Sequence, residues 1–177
     1  TDAKGFSVAK KLKKLGNWAS DTAELVFDNV RAPVSNRIGE EGLGFIYQMQ
    51  QFQEERLWAG AGTLMGCDRI INATIDYTRE RKVFGRPLLD NQVVHFRLAE
   101  LKSEVEALRS LVYRACEEYL AGKDVTMLAS MAKLKATEVL AHVADEAIQI
   151  HGGMGLMDEL PLERIWRDSR VERIWEG

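Results

Sequence analysis

Tyr77-Thr-Arg-Glu-Arg-Lys-Val-Phe-Gly-Arg-Pro-Leu-Leu-Asp-Asn-Gln92 decides how the chain folds, because it closes one long helical pattern and opens another. Gly85 and Pro87 stand between the two patterns. A glycine can take φ > 0, and a proline lacks the N–H that would continue a helix. Arg79, Arg81, Lys82 and Arg86 crowd the junction, with Glu80 alone interleaved. One reading is electrostatic: cations suit the negative end of a helix macrodipole, and charge runs commonly form solvated faces. The other is an anion site in which forked guanidinium groups grip a phosphate.

Upstream, a helix is predicted over roughly residues 42 to 82, entered through Gly39-Glu-Glu-Gly-Leu-Gly44. Its apolar face runs through Ile46, Met49, Phe52, Leu57, Leu64, Cys67, Ile71 and Ile75, near helical spacing. Gly60, Gly62 and Gly66 lie inside it, each costing about 1 kcal/mol relative to alanine. Close approach of another backbone or of a ligand would explain them. Downstream, a helix over about 90 to 121 carries a seam at Val94, Leu98, Leu101, Val105, Leu108, Val112, Ala115 and Tyr119. Its steps alternate four and three, the period of left-handed bundle packing.

Gly122-Lys-Asp124 makes a short turn, with Asp124 a suitable N-cap for a third helix. That helix presents Val125, Ala129, Ala132, Ala136, Val139, Val143, Ala147 and Ile150, and its alanines permit close packing. It ends at Gln149-Ile-His-Gly-Gly-Met-Gly155, with more glycines than a C-cap requires. The extra ones would let a backbone approach a ligand, although no preceding strand or G-x-G-x-x-G spacing makes this a dinucleotide fingerprint. Pro161 starts a fourth helix from Leu162 to about Ile174. The fold class is therefore mainly α, an up-down four-helix bundle with long antiparallel helices.

Residues 1 to about 40 differ in kind. Thr22-Ala-Glu-Leu-Val-Phe-Asp-Asn-Val30 reads as a strand leaving through Arg31-Ala-Pro33, and Phe6-Ser-Val8 as a shorter one. Two strands make no stable sheet, so this part reads as the remnant of a β-domain, residues 1–40, ahead of a helical domain, residues 41–177. A net charge of −3 over 177 residues gives no electrostatic case for nucleic acid or an anionic membrane. No apolar run approaches a bilayer span, and no signal peptide is visible. Cys67 and Cys116 read as small buried hydrophobes, and the three histidines lack partners at zinc-ligand spacing, so no metal is expected.

Four pieces occur in one order: Ser20-Asp-Thr-Ala-Glu-Leu-Val-Phe-Asp-Asn-Val-Arg-Ala-Pro33, Arg81-Lys-Val-Phe-Gly-Arg-Pro-Leu88 with Gln92, Gln149-Ile-His-Gly-Gly-Met-Gly155, and Ile174-Trp-Glu-Gly177. Together they resemble the acyl-CoA dehydrogenases over essentially the whole chain. The resemblance implies the end of that family's middle β-domain followed by its C-terminal four-helix domain. It implies FAD as cofactor, with Arg81 on the pyrophosphate, commonly of a flavin held by the neighbouring subunit. Phe84 and Gln92 would lie beside the same nucleotide, and Gln149, Gly152 and Gly153 against its adenosine portion. Glu176 matches the carboxylate that removes the α-proton of a fatty acyl thioester while flavin N5 accepts the β-hydride. Glu55, in Gln53-Glu-Glu-Arg-Leu57, stands where some members carry the base instead, and Glu176 is favoured of the two. Phe52, Arg56 and Gly177 match substrate-facing positions.

For several of these residues the sequence also offers a plainer reading. Without the resemblance, Gln149 reads better as an exposed helix residue, His151 as a packed cap residue, and Glu176 as a surface charge near a chain end. The resemblance further implies acyl-CoA as substrate, an electron-transfer flavoprotein as acceptor, a homodimer or homotetramer, and a cytoplasmic or mitochondrial-matrix location. The chain alone is expected to be inactive and to bind FAD poorly. The competing classes are a non-catalytic helical oligomerisation module and an oxidase or monooxygenase of the same superfamily.

Overall fold

The computed structural model describes residues 2–176, which divide into two compact units on either side of the Gln50–Gln51 bond. In the first unit, β1 (Phe6–Lys11) pairs antiparallel with β2 (Ala23–Phe27), placing Phe6 opposite Phe27 and Val8 opposite Leu25. The Phe6 and Phe27 rings meet at 5.3 Å, and a bulge between Val8 and Lys10 shifts the register. β1 runs further than the Phe6–Val8 segment expected, because Lys10 and Lys11 continue the ladder and Lys11 pairs with Asp21 across the ribbon. Val8, Leu25 and Phe27 are exposed, so the ribbon buries little apolar surface within its own unit.

The longest helix, α1 (Gly44–Glu80), is followed by α2 (Gln92–Leu120), α3 (Thr126–His151) and α4 (Leu162–Ser169). Side-chain partners fix their directions. Asp68 on α1 meets Lys102 and Arg109 on α2, while a Cβ on Gly60 would touch Val112 at 3.4 Å, so α1 and α2 run antiparallel. Glu104 meets His142 and Arg97 meets Glu146, so α3 returns antiparallel to α2. The core lies where the three faces meet. Leu101, Val105, Val112, Ala129, Ala132, Ala136 and Val143 are each at most 1% exposed, as the three-four spacing requires. Asp124 accepts from the Thr126 amide at 2.9 Å and from its hydroxyl, so it satisfies the first amide of α3, but the N-cap position falls to Val125, one residue later than expected.

Several expectations are corrected. Tyr119, at the end of the α2 seam, is 38% exposed, and its hydroxyl donates to Glu54 at 2.5 Å instead of entering the core. Ile46 on α1 is also exposed, since the first unit holds no other long helix against which it could be buried. The fourth helix is short: after Ser169 the chain tightens into a 3₁₀ turn over Arg170–Arg173. No neighbouring backbone explains the α1 glycines. The nearest atoms to a Cβ on Gly60 or Gly66 belong to the side chains of Val112 and Leu140, and Gly62 faces open space.

The basic junction holds more structure than a helix break. β3 (Lys82–Val83) and β4 (Arg86–Pro87) form a minute hairpin. Phe84 and Gly85 sit at its tip with φ of 51° and 82°. Two central residues with positive φ make the turn whose twist suits a two-residue hairpin. Glycine meets this without strain, whereas the phenylalanine does so at a cost, with its ring fully exposed. Both cysteines are free thiols; Cys67 is wholly buried, and desolvation pushes its pKa up to about 12. Among the described residues no helix is long and apolar enough to cross a membrane.

Candidate functional site

Two clusters of chemistry-bearing side chains stand out in the second unit, one at each end of α3. At its N-terminal end the tail of the chain lies against α1 and α3. Arg56 donates through Nε at 2.9 Å and Nη2 at 2.8 Å to the carbonyl of Glu176, and through Nη1 to Ser130 Oγ at 3.1 Å. Its guanidinium also lies 5.8 Å from the centre of the Phe52 ring. Lys133, only 2% exposed, donates to the carbonyl of Trp175. Glu176 is half-buried, with φ of 56°.

Burial raises the pKa of the Glu176 carboxyl, and the charge of Glu55 raises it further, against the opposing pull of Lys133 and Arg56. Glu172 is raised as well, first by burial and then by the charge of Glu176, although Trp175 Nε1 donates to it at 3.1 Å. The fold therefore brings both candidate bases, Glu55 and Glu176, into one electrostatic neighbourhood with Phe52 and Arg56. Gly177 lies outside the described residues.

At the other end of α3, Arg81, Gly152 and Gly153 line an open groove of about 520 Å³ with Tyr77, Val83 and His151. Among the described residues no carboxylate pairs with Arg81, so its charge is available to the groove. The glycines divide the work. Gly152, with φ of 60°, ends α3, and Gly155 is needed by the chain itself, since a Cβ there would come within 2.7 Å of the Ile148 carbonyl oxygen. Gly153 has open space where a side chain would stand, a bare surface that suits a flat ligand. Phe84, Gln92 and Gln149 are exposed and do not line this groove.

His151 is a packed residue, as its plainer reading has it. It is 7% exposed, donates through Nδ1 to the Ala147 carbonyl at 2.7 Å, and stacks on Tyr77 at 4.0 Å. Burial lowers its pKa. The unfolded chain then binds the proton more readily, so this contribution to stability is complete above about pH 6.5 and is lost as the pH falls through the depressed folded value. The melting temperature of the wild-type chain is expected to fall more between pH 7.5 and 5.5 than that of a His151→Phe variant, followed by circular dichroism. Equal losses would assign the acid sensitivity elsewhere.

The sequence reading missed Lys133, Ser130 and Glu172. Lys133 had a legible signal, standing four residues after Ala129 and three before Ala136 on an alanine-rich face where a lysine is out of place. Glu172 had none, because what sets it apart is burial, which comes from the tail folding back on the helices.

Ser130 and His151 are roughly 30 Å apart at the rise of an α-helix, so the two clusters do not share a pocket within one chain. The sequence pattern of the acyl-CoA dehydrogenase C-terminal domain matches residues 42–177. Cyclohexane-1-carbonyl-CoA dehydrogenase of Geobacter metallireducens is 40% identical over 176 residues, covering 99% of this chain and 46% of the relative. The crystal structure of an acyl-CoA dehydrogenase from Geobacillus kaustophilus superposes with a TM-score of 0.95 at 41% identity, over 99% of this chain and 46% of that one. An acyl-CoA dehydrogenase from Bacillus anthracis, complexed with FAD, gives a TM-score of 0.90 at 32% identity, over 99% of this chain and 33% of that one. The chain spans about half the length of the curated relatives it matches. With a family match over residues 42–177 and the same helical architecture, the chain belongs to the acyl-CoA dehydrogenase family.

Proposed function

We propose that this chain is the base-bearing, nucleotide-contacting part of an FAD-dependent enzyme that introduces an α,β double bond into acyl-CoA thioesters. The observation that carries the reading is Glu176, half-buried beside Glu55 with its backbone gripped by Arg56. A carboxylate in water is too weak a base to take a proton from carbon. Burial and a neighbouring negative charge both favour its protonated form and so strengthen it. Glu176 takes the α-proton in its ionised state, so the rate of that step rises with pH through its elevated pKa. Glu55 acts through its charge, and Phe52 offers an apolar ring to the acyl chain. FAD, when bound, supplies at N5 the acceptor for the hydride leaving the β-carbon.

The groove at Arg81 fits a nucleotide diphosphate by its unpaired guanidinium and the bare backbone of Gly153. Because this groove and Glu176 stand at opposite ends of α3, each serves a different cofactor molecule, and the groove reaches a neighbouring subunit's nucleotide in a homo-oligomer. The exposed residues of the β1–β2 ribbon pack on further strands of a β-domain in the whole protein. The relative from Geobacter metallireducens acts on a CoA thioester by its name, which supports acyl-CoA as the substrate class here.

Anaerobic addition of acyl-CoA to the full-length protein carrying FAD is expected to bleach the flavin absorbance. Failure with short, long, branched and cyclic acyl groups alike would overturn the reading. Arg81→Met, which removes a charge-assisted contact worth about 1.5–3 kcal/mol, is expected to weaken FAD retention about 10- to 100-fold in equilibrium dialysis. Unchanged retention would place the diphosphate away from the groove.

A further inference from the structure

Two successive carbonyls of the tail are held by two different helices. Lys133 on α3 donates to the carbonyl of Trp175, and Arg56 on α1 donates twice to that of Glu176. These carbonyls flank the Glu176 Cα, so the two cations together restrain the backbone around it. The conformation they restrain is left-handed, with φ of 56°, which a glutamate adopts only when its surroundings impose it.

The frame behind this grip is stiff. Arg56 is tied to α3 through Ser130, whose hydroxyl in turn donates to the Thr126 carbonyl at 2.7 Å. Lys133 is flanked by Ala129, Ala132 and Ala136, all fully buried, so its stem is confined and its ammonium is delivered at one place. A lysine at 2% exposure gives up its hydration, which is sustained only by acceptors or anions at the ammonium. The Trp175 carbonyl supplies one of them.

Resting on the assignment of Glu176 as base, we infer that Lys133 is a positioning residue: by holding the Trp175 carbonyl it keeps Glu176 in its left-handed turn and so fixes where the carboxyl points. A neutral side chain at 133 would leave the entering peptide free to rotate, and the carboxyl would leave its place without any loss of substrate affinity. Misplacement by about 1 Å is enough to slow a reaction about 10²-fold.

The test uses the full-length protein with FAD bound, comparing Lys133→Met, Lys133→Arg and Glu176→Gln with wild type. Two readouts are taken: hydrogen exchange of the Ile174 and Trp175 amides, both bonded to the Val171 carbonyl, and single-turnover flavin reduction by acyl-CoA. Lys133→Met is expected to speed exchange of these amides about 10-fold or more while α2 amides keep wild-type protection. It should slow reduction about 10²-fold with KM changed less than about threefold, and Lys133→Arg should restore most of the rate.

A loosened tail with an unchanged rate, or a slowed rate with a tail as protected as wild type, would overturn the inference. Where methionine prevents folding, Lys133→Gln, a donor too short to span the gap, decides by the same two readouts. If Glu176→Gln reduces flavin normally, the base assignment fails, and amide exchange alone then judges the lysine's hold on the tail. If Glu176→Gln is inactive and Lys133→Met matches wild type in both readouts, only the positioning role fails.

Discussion

Glu176→Gln is expected to slow bleaching of the flavin by acyl-CoA in the full-length protein by about 10²–10⁴-fold. Glu176→Gln keeps the size of the side chain and the backbone grip of Arg56 and Lys133 on the tail, so the loss would report on proton removal. Glu55→Gln is expected to retain most of the rate and to change its pH dependence. With the Glu55 charge gone, one of the causes that raise the Glu176 pKa disappears, so the rise in rate with pH should move to lower pH. Stopped-flow reduction between pH 5 and 9 distinguishes the two carboxyls. An inactive Glu55→Gln beside an active Glu176→Gln would move the base to α1 and turn the tail glutamate into the modulating charge.

Leu101→Ala is expected to cost about 2–5 kcal/mol of folding stability. Leu101 is 1% exposed in the α2 seam, within a buried cluster to which α1 and α3 also contribute. Against a typical total of about 5–15 kcal/mol for a domain, a loss of that size is a large part of the whole. Tyr119→Ala, at the exposed end of the same seam, is expected to cost less than about 1 kcal/mol, since it gives up a surface hydrogen bond and no core contact. Urea unfolding followed by helical circular dichroism measures both. Equal costs would mean that the seam does not end where Tyr119 turns outward.

Much of the helical part was legible in the sequence because its signals are local. The alternating steps of four and three from Val94 to Ala115 depend only on helix geometry, and each of those side chains is buried. The role of Asp124 was nearly readable for the same reason, since its carboxylate and the amide it satisfies are two residues apart, although the cap position itself is Val125. The hairpin inside the basic junction escaped notice because Phe84 occupies a position with positive φ, which sequence preference assigns to glycine or asparagine. Gly62 was read as a close-approach residue, yet it faces open space, because a missing side chain records permission for contact and not contact itself.

The candidate site divides along the same line. Arg81 and the glycines after α3 stood out by residue type, whereas Glu55 and Glu176 came forward only through the resemblance to a family. What the sequence by itself determined is a set of periods and caps: three long helices, their buried faces and their ends. Only the tertiary structure decided that Lys133 meets Trp175 and that Arg56 meets Glu176 and Ser130, which brings the tail to the end of α3 away from the basic groove. A period is a property of one helix, fixed by its rise and turn. A meeting of residues 56, 130, 133 and 176 depends on three helices packing side by side and on the tail returning across two of them, which no single stretch of chain encodes.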